Sequence, residues 1–222
     1  MKKGKLIVIE GACDGIGKTT QYEALTKKLK DDKIAIVKHH FPSWSEPQGA
    51  FVAAYLGGKY GEKEKLSQYF VHHLYAIDRA VTWKTQLEKE YNDGKIILLD
   101  RYTTSSMIFQ STLIDEEERD SFVEYVADYE YNKLGIAKPD MVIFLTAPFD
   151  IAKKMLTERK NNEGLMNDIH ERDLEYMKKV YENSNRIAKK YGWKIIECAS
   201  LGKLRTPEDI SEEIYSIVKK IK

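Results

Sequence analysis

The chain is poor in cysteine, in long apolar runs and in any excess of one charge. Cys13 and Cys198 are the only cysteines in 222 residues. Two thiols are too few for a disulfide scaffold, and their spacing fits no zinc site. A reducing compartment, the cytoplasm, is the expectation. The N-terminus reads Met1-Lys2-Lys3-Gly4-Lys5, and only Leu6 to Ile9 then form an apolar run, too short for a secretory signal. No segment approaches the ~18–20 apolar residues of a membrane span. A soluble protein without a membrane partner is therefore expected. The 36 basic and 35 acidic residues leave a formal net charge of +1. A general nucleic-acid binder would carry a basic excess. There is no internal repeat, low-complexity tract or linker, so residues 1–222 are expected to form one domain.

What is present is enough for a full core, since 42% of the residues are hydrophobic. Short apolar runs alternate with longer helical patterns. Strands are expected at Leu6–Ile9, Ile34–Val37, Ile96–Leu99 and Met141–Leu145, with a weaker fifth at Lys194–Ile196. A helix follows the first strand to about Asp31. A long amphipathic stretch runs from Lys63 to about Asn92, and a last helix starts at Pro207 and runs to about Ile221. The acidic run Asp115–Glu118 reads as a solvated helix start. Continuous apolar strands separated by helices imply an α/β fold, with a parallel sheet covered on both faces. Ligands of such sheets bind at the carboxyl ends of the strands.

The strongest motif is Gly11-Ala-Cys-Asp-Gly-Ile-Gly-Lys-Thr-Thr20. It follows the first strand and opens the first helix, the context a P-loop requires. Gly15 and Gly17 let backbone N–H groups converge on a polyphosphate at the positive end of a helix dipole. Asp14, Gly15, Ile16, Gly17, Lys18, Thr19 and Thr20 make up the expected phosphate cradle. Lys18 brings a charge to the β- and γ-phosphates, and the Thr19 hydroxyl is placed to ligate Mg²⁺. The loop departs from the usual spacing, because residues 12 to 16 separate Gly11 from Gly17. Either the loop is one residue longer, or Ala12 takes the first glycine position, which requires a negative φ. Cys13 lies in this loop, near a helix N-terminus that would lower a thiol pKa, and its plain reading is an inert small residue.

Other candidates cluster at the ends of the expected strands. Asp100-Arg101-Tyr102 closes the third. An Asp there can reach Mg²⁺ through water, and an adjacent Arg can bridge donor and acceptor phosphates. Ser105, Ser106 and Phe109 continue from it. Phe41-Pro42 follows the second strand. Tyr75 and Arg79 lie four apart on a helix, hence on one face, where an aromatic and an Arg could stack on and hydrogen-bond a base.

Taken together, Ile9-Glu10-Gly11, Asp14-Gly-Ile-Gly-Lys-Thr-Thr-Gln21, Phe41-Pro42, His73-Leu-Tyr-Ala-Ile-Asp-Arg79, Asp100-Arg-Tyr-Thr-Thr-Ser-Ser106 and Lys138-Pro-Asp140 resemble the thymidylate kinase family. They occur in the family's order with similar gaps, over nearly the whole chain, and weaken after about residue 160. The resemblance implies a five-stranded parallel sheet of P-loop nucleotide-kinase type. It implies phosphoryl transfer from Mg²⁺-ATP to thymidine 5′-monophosphate (dTMP), and a homodimer. In those terms Asp14 would hold the 3′-hydroxyl, Tyr75 would stack on thymine, and Phe41 and Pro42 would line the base pocket. Arg79 would hydrogen-bond the base, Arg101 would hold the acceptor phosphate, Ser106 would face the base, and Phe109 would crowd the sugar 2′ position. Gly15 and Ile16 stand where a P-loop arginine could sit, so a mobile lid near residues 157–170 must supply the transition-state arginine. Arg159 is the first candidate, with Lys160 and Arg172 behind it and Gly164 as a hinge.

Rival readings need residues that this sequence places differently. A deoxynucleoside kinase needs a carboxylate after the second strand to deprotonate a 5′-hydroxyl. Here Lys38-His-His-Phe-Pro42 occupies that place, and the first acidic residue is Glu46. A GTP-binding switch protein needs Asp-x-x-Gly after the third strand and Asn-Lys-x-Asp for guanine. The chain has Asp100-Arg-Tyr-Thr103 and Asn132-Lys-Leu-Gly135. A nucleotide-binding module without turnover is the remaining alternative.

Overall fold

The computed structural model describes residues 3–13, 15–62, 65–163 and 174–221, without the side chains of residues 156 and 158–163. Five strands, β1 (Lys5–Gly11), β2 (Ile36–His40), β3 (Ile96–Asp100), β4 (Met141–Thr146) and β5 (Lys194–Glu197), form one parallel sheet in the order β2-β3-β1-β4-β5. β1 is central because its apolar run has no polar face. Leu6, Ile7, Val8 and Ile9 are all fully buried. Such a strand must be covered on both sides, which is the environment of a parallel sheet.

The second strand lies two residues later than its apolar run predicts. Its ladder to β3 pairs Ile36 with Ile96 and ends at His40 opposite Asp100. β2 is an edge strand, so Lys38 and His40 can be exposed while His39 packs inward against Phe41, and hydropathy alone underestimates its reach.

Helices cover both faces. α1 (Lys18–Asp31) and α9 (Pro207–Val218) share one core, in which Tyr22, Leu25 and Leu29 meet Ile210, Ile214 and Val218. α9 starts as its sequence suggests. Pro207 sits in its first turn, and the Thr206 side chain accepts from the Asp209 N–H. The other face carries α5 (Thr103–Thr112), α6 (Arg119–Ala127) and α8 (Leu174–Lys190) around Ile108, Phe122, Val126, Phe144 and Ile187. Between β2 and β3 lie α2 (Ala50–Leu56), α3 (Gln68–Thr82), a π-helical stretch Trp83–Leu87 and α4 (Glu88–Asn92). The long amphipathic segment is thus one helical rod with a π insertion, which keeps Trp83 and Leu87 buried under the sheet. α7 (Phe149–Glu163) follows β4, and a two-residue hairpin of β6 (Ala199–Ser200) and β7 (Lys203–Leu204) follows β5. No helix among the described residues is long and apolar enough to cross a membrane. Both cysteines are buried, and burial pushes the Cys198 thiol up to about 12.

Candidate active site

The phosphate cradle forms where β1 turns into α1. Gly15 and Gly17 have φ of 80° and 91°, the left-handed region that a Cβ disfavours, and Gly17 caps α1. Gly11 is closely packed by the loop that follows it. A Cβ there would come within 2.7 Å of Ile16 Cγ2 and 3.1 Å of the Lys18 stem. Ala12 needs no such exemption. It packs in the core, and its N–H donates to the Leu145 carbonyl at 2.9 Å. Ala12 is not among the residues with positive φ, so it also meets the condition for taking the first glycine position. Lys18 is only 7% exposed, and its Nζ lies 3.5 Å from the Cys13 carbonyl oxygen. Thr19 and Thr20 are exposed at the start of α1. Asp14 lies outside the described residues.

The end of β3 supplies the opposing wall. Asp100 pairs with Ile9 in the ladder, and the Arg101 N–H then donates to the Ile9 carbonyl at 3.1 Å. Arg101 has φ of 66°, a conformation that costs a side-chain-bearing residue roughly 1–2 kcal/mol. That strain reverses the chain and turns the guanidinium into the cleft, over the Phe109 ring at 5.3 Å. Such strain is typical of functional positions. Asp100 is buried, and its Oδ2 takes the His40 ring nitrogen at 3.1 Å. Its Oδ1 has no hydrogen-bond partner among the described residues. Burial alone would raise its pKa, but the His40 contact and the charges of Lys18 and Arg101 outweigh it and hold the carboxyl below its ordinary value.

Behind these groups lies a carboxylate that spacing rules miss. Glu10 is fully buried. Its Oε2 accepts from the Thr104 and Ser105 hydroxyls at 3.0 and 2.5 Å, and its Oε1 from the Gly11 N–H at 3.1 Å. Arg101 Nη1 stands 3.5 Å from the same Oε1. One buried side chain thus ties the P-loop strand to the first turn of α5. An acidic residue inside an apolar strand was the available signal.

A cleft of about 250 Å³ opens above these strand ends. It gathers Lys18, Thr19, Asp100 and Arg101 with Pro42, Tyr75, Ser105, Ser106 and Phe109. His40, Trp44, Leu56 and Gln110 also line it, and the sequence reading did not single them out. A larger cavity, about 310 Å³, opens at the opposite end of the sheet between Leu29, Ile34, Ile96 and Val218. It carries no P-loop and no strained arginine.

Two expected residues lie behind the cleft. Phe41 is buried, with its ring 5.9 Å from Tyr102. Arg79 is 1% exposed and is clamped by Glu130, its Nε and Nη2 each at 2.7 Å from a carboxylate oxygen. Arg79 Nη2 also donates to Ser106 Oγ at 2.7 Å, and Nη1 lies 3.5 Å from the Tyr102 carbonyl. The guanidinium sits 5.9 Å from the Tyr75 ring centroid, so the shared helix face is real. With one Ser106 lone pair taken by Arg79, the Ser106 hydroxyl keeps its hydrogen as a donor. The lid candidates, with the Arg159 and Lys160 side chains, Gly164 and Arg172, lie outside the described residues.

A model of the family described as thymidylate kinase matches residues 9–210. The chain belongs to the thymidylate kinase family. It is a kinase, and the family's phosphoryl donor is ATP. Its relatives include the thymidylate kinase of Prochlorococcus marinus, 28% identical over 200 residues, covering 89% of each chain. The thymidylate kinase of Plasmodium falciparum is 27% identical over 223 residues, covering 100% of this chain and 92% of the other. Among solved structures, the thymidylate kinase of Candida albicans superposes with a TM-score of 0.72 at 24% identity, covering 98% of this chain and 92% of that one. That likeness concerns the fold. A thymidylate kinase needs no general base for its acceptor. In keeping with that, Asp100 is the only carboxylate lining the cleft among the described residues. A deoxynucleoside kinase would need another at the end of β2, where His40 stands instead.

Proposed function

We propose that the chain transfers the γ-phosphoryl group of ATP to dTMP, giving dTDP and ADP, with Mg²⁺ as cofactor. The observation that carries this reading is the single cleft shared by the P-loop lysine, the strained Arg101 and the pocket of Tyr75, Ser106 and Phe109. A cytoplasmic location, where ATP and deoxynucleotides occur together, belongs to the same reading.

In this reaction Lys18 neutralises charge on the transferring phosphoryl group, and Arg101 holds the acceptor phosphate in line with it. The acceptor oxygen is already anionic, so the work is positioning and charge neutralisation. The donor set suits Mg²⁺, which keeps several waters and takes one or two protein ligands beside phosphate oxygens. The Thr19 hydroxyl and the unpartnered, buried Asp100 Oδ1, through water, would hold it. Bound there, the ion would offset charge on the β- and γ-phosphates. Tyr75 stacks on the base, and Pro42 closes the pocket with Phe41 buried behind it. The Ser106 hydroxyl donates to a base oxygen, with the Gln110 amide one turn further along α5 and the remaining Arg79 Nη1 hydrogen beside it. Asp14 takes the 3′-hydroxyl. Arg159, on the lid, reaches the phosphates in the closed state, with Lys160 and Arg172 as the alternatives.

ADP release across a panel of acceptors tests the reading. The expected order is dTMP above dUMP above UMP, with thymidine at background. A ribose hydroxyl buried without a partner against Phe109 should cost about 10- to 100-fold in kcat/KM. Loss of the thymine methyl removes roughly 1 kcal/mol of apolar contact, so dUMP remains a poorer but real substrate. Efficient phosphorylation of thymidine would sink the assignment. A preference for dGMP or dAMP would show that the pocket is not built for a pyrimidine.

The functional unit in this reading is a homodimer. α3 exposes Tyr69, Ile77 and Val81, eight and four residues apart and so on one row of side chains, with Phe70 beside them. Tyr69 continues this apolar face onto α6 by packing 4.9 Å from Tyr125. Exposed apolar patches of this kind mark protein–protein contacts. Light scattering at micromolar concentration is expected to give twice the 25.7 kDa chain mass, and a mass of 25.7 kDa would contradict it.

A further inference from the structure

Trp44 carries an exposed indole on a rigid mount. The residue is 55% exposed, and it follows Pro42 in the turn that leaves β2. The turn itself is tightly held. The Trp44 N–H donates to the Pro42 carbonyl at 2.9 Å, and the Glu46 N–H to the Ser43 carbonyl at 3.0 Å. Ser43 is buried, and its N–H donates to Asp78 Oδ2 on α3 at 2.9 Å. Its hydroxyl meets Thr82 at 3.2 Å and the His39 ring at 2.9 Å. Gly49 packs so closely on this turn that a Cβ there would stand 2.2 Å from the Ser43 carbonyl oxygen. Ser43, the residue before Trp44, is thus buried and bonded to α3, while the largest side chain in the turn is left in water. Nothing in the packing of the fold explains that placement.

The position in the cleft does. Trp44 lines it together with Pro42, Leu56 and Tyr75, and Lys18 and Arg101 line the same cleft. We infer that the Trp44 indole is a further acceptor-binding residue, packing against the nucleoside of the bound monophosphate from the mouth of the cleft and setting acceptor affinity. The inference rests on the acceptor assignment above. An indole stacks on any base, because every base has a π-face, so the contact supplies affinity. Discrimination is left to the hydrogen-bonding groups on α5. The rigid turn means that little order has to be imposed when the ligand arrives.

Tryptophan emission and steady-state kinetics test this directly. The other two tryptophans are poorly placed to respond. Trp83 is buried in the core, and Trp193 packs on Phe144 at 5.9 Å. Wild-type protein titrated with dTMP should show binding by calorimetry and a change in emission. Trp44→Phe should still bind dTMP while losing the emission change. Trp44→Ala should raise the KM for dTMP about 10- to 100-fold, with kcat altered less than about threefold, and Trp44→Phe should recover most of that loss. The inference is overturned, with the acceptor assignment left standing, if wild type binds dTMP without any emission change. It is equally overturned if Trp44→Ala leaves the KM for dTMP within about twofold of wild type. Failure of wild type to bind dTMP at all would overturn the acceptor assignment and this inference with it.

Discussion

Lys18→Met is expected to cut kcat by about 10²–10³ while leaving the protein folded, the loss typical of removing one preorganised electrostatic donor from a transition state. The choice of Met follows from the structure. The sequence suggests an exposed lysine on a glycine loop, where truncation to Ala would be harmless to the fold. Instead Lys18 is buried, and its stem runs beside Gly11, so Ala would leave a void in the loop. Met keeps the stem and removes only the charge. The geometry argues for a loss in turnover more than in binding, because a charge beside the transferring group is felt most as that group departs. Coupled ADP release and a thermal melt on the same preparation decide the matter. A variant that melts with wild type and turns over near the wild-type rate would refute the P-loop role.

A second large effect is expected on stability. Glu130→Gln should destabilise the protein by about 3–5 kcal/mol, the range found when one partner of a buried ion pair is removed. Arg79 and Glu130 are both essentially inaccessible, and two nitrogens meet two oxygens at 2.7 Å. Thr103 donates a further hydrogen bond to Glu130 at 2.8 Å. His72 does not share the carboxylate's charge, although it lies 3.7 Å away. Burial, and after it the positive charge of Arg79, push the imidazole down to about 2, so it stays neutral. Arg79 is therefore the one cation balancing Glu130 among the described residues, and losing Glu130 strands a charged guanidinium in the core. For a chain of this size the loss corresponds to a fall in Tm of about 6–20 °C. Replacing both partners, Arg79→Met with Glu130→Leu, should recover most of the stability, since neither charge is then left unpaired. A Glu130→Gln variant within about 1 kcal/mol of wild type would show that the pair is not desolvated.

The donor side was legible in the sequence because its physics is local. A continuous apolar run ending in glycines, lysine and threonine admits one backbone path, and Gly15 and Gly17 follow it. The five strands were readable for the same reason, except that the polar end of β2 hides in composition what its ladder to β3 makes plain. The acceptor side was only partly legible, because its groups are fixed by partners distant in the chain. Tyr75 and Arg79 do share a helix face, yet the direction of the guanidinium is set by Glu130, 51 residues on, within a π-helical stretch that no spacing rule marks. Glu10 meets Thr104 and Ser105 across more than 90 residues. Trp44 and Gln110 have no periodic neighbour to betray them. Trp44 stands in a turn, and Gln110 reads as one more polar residue on α5 until the cleft is drawn.

Arg101 donates through its backbone to Ile9, so the donor loop and the acceptor arginine hang from adjacent rungs of one ladder. Neighbouring strands lie ~4.8 Å apart whatever their side chains are. In the proposed reaction the separation between the two phosphates is therefore written into the main chain. The groups that the proposed function assigns to the base and sugar stand elsewhere, on α3, on α5 and in the turn after β2. A lineage could drift from one base to another by editing a few of those side chains, with the distance over which the phosphoryl group travels held constant throughout. In that sense the reaction and the taste for a substrate are inherited separately in this fold.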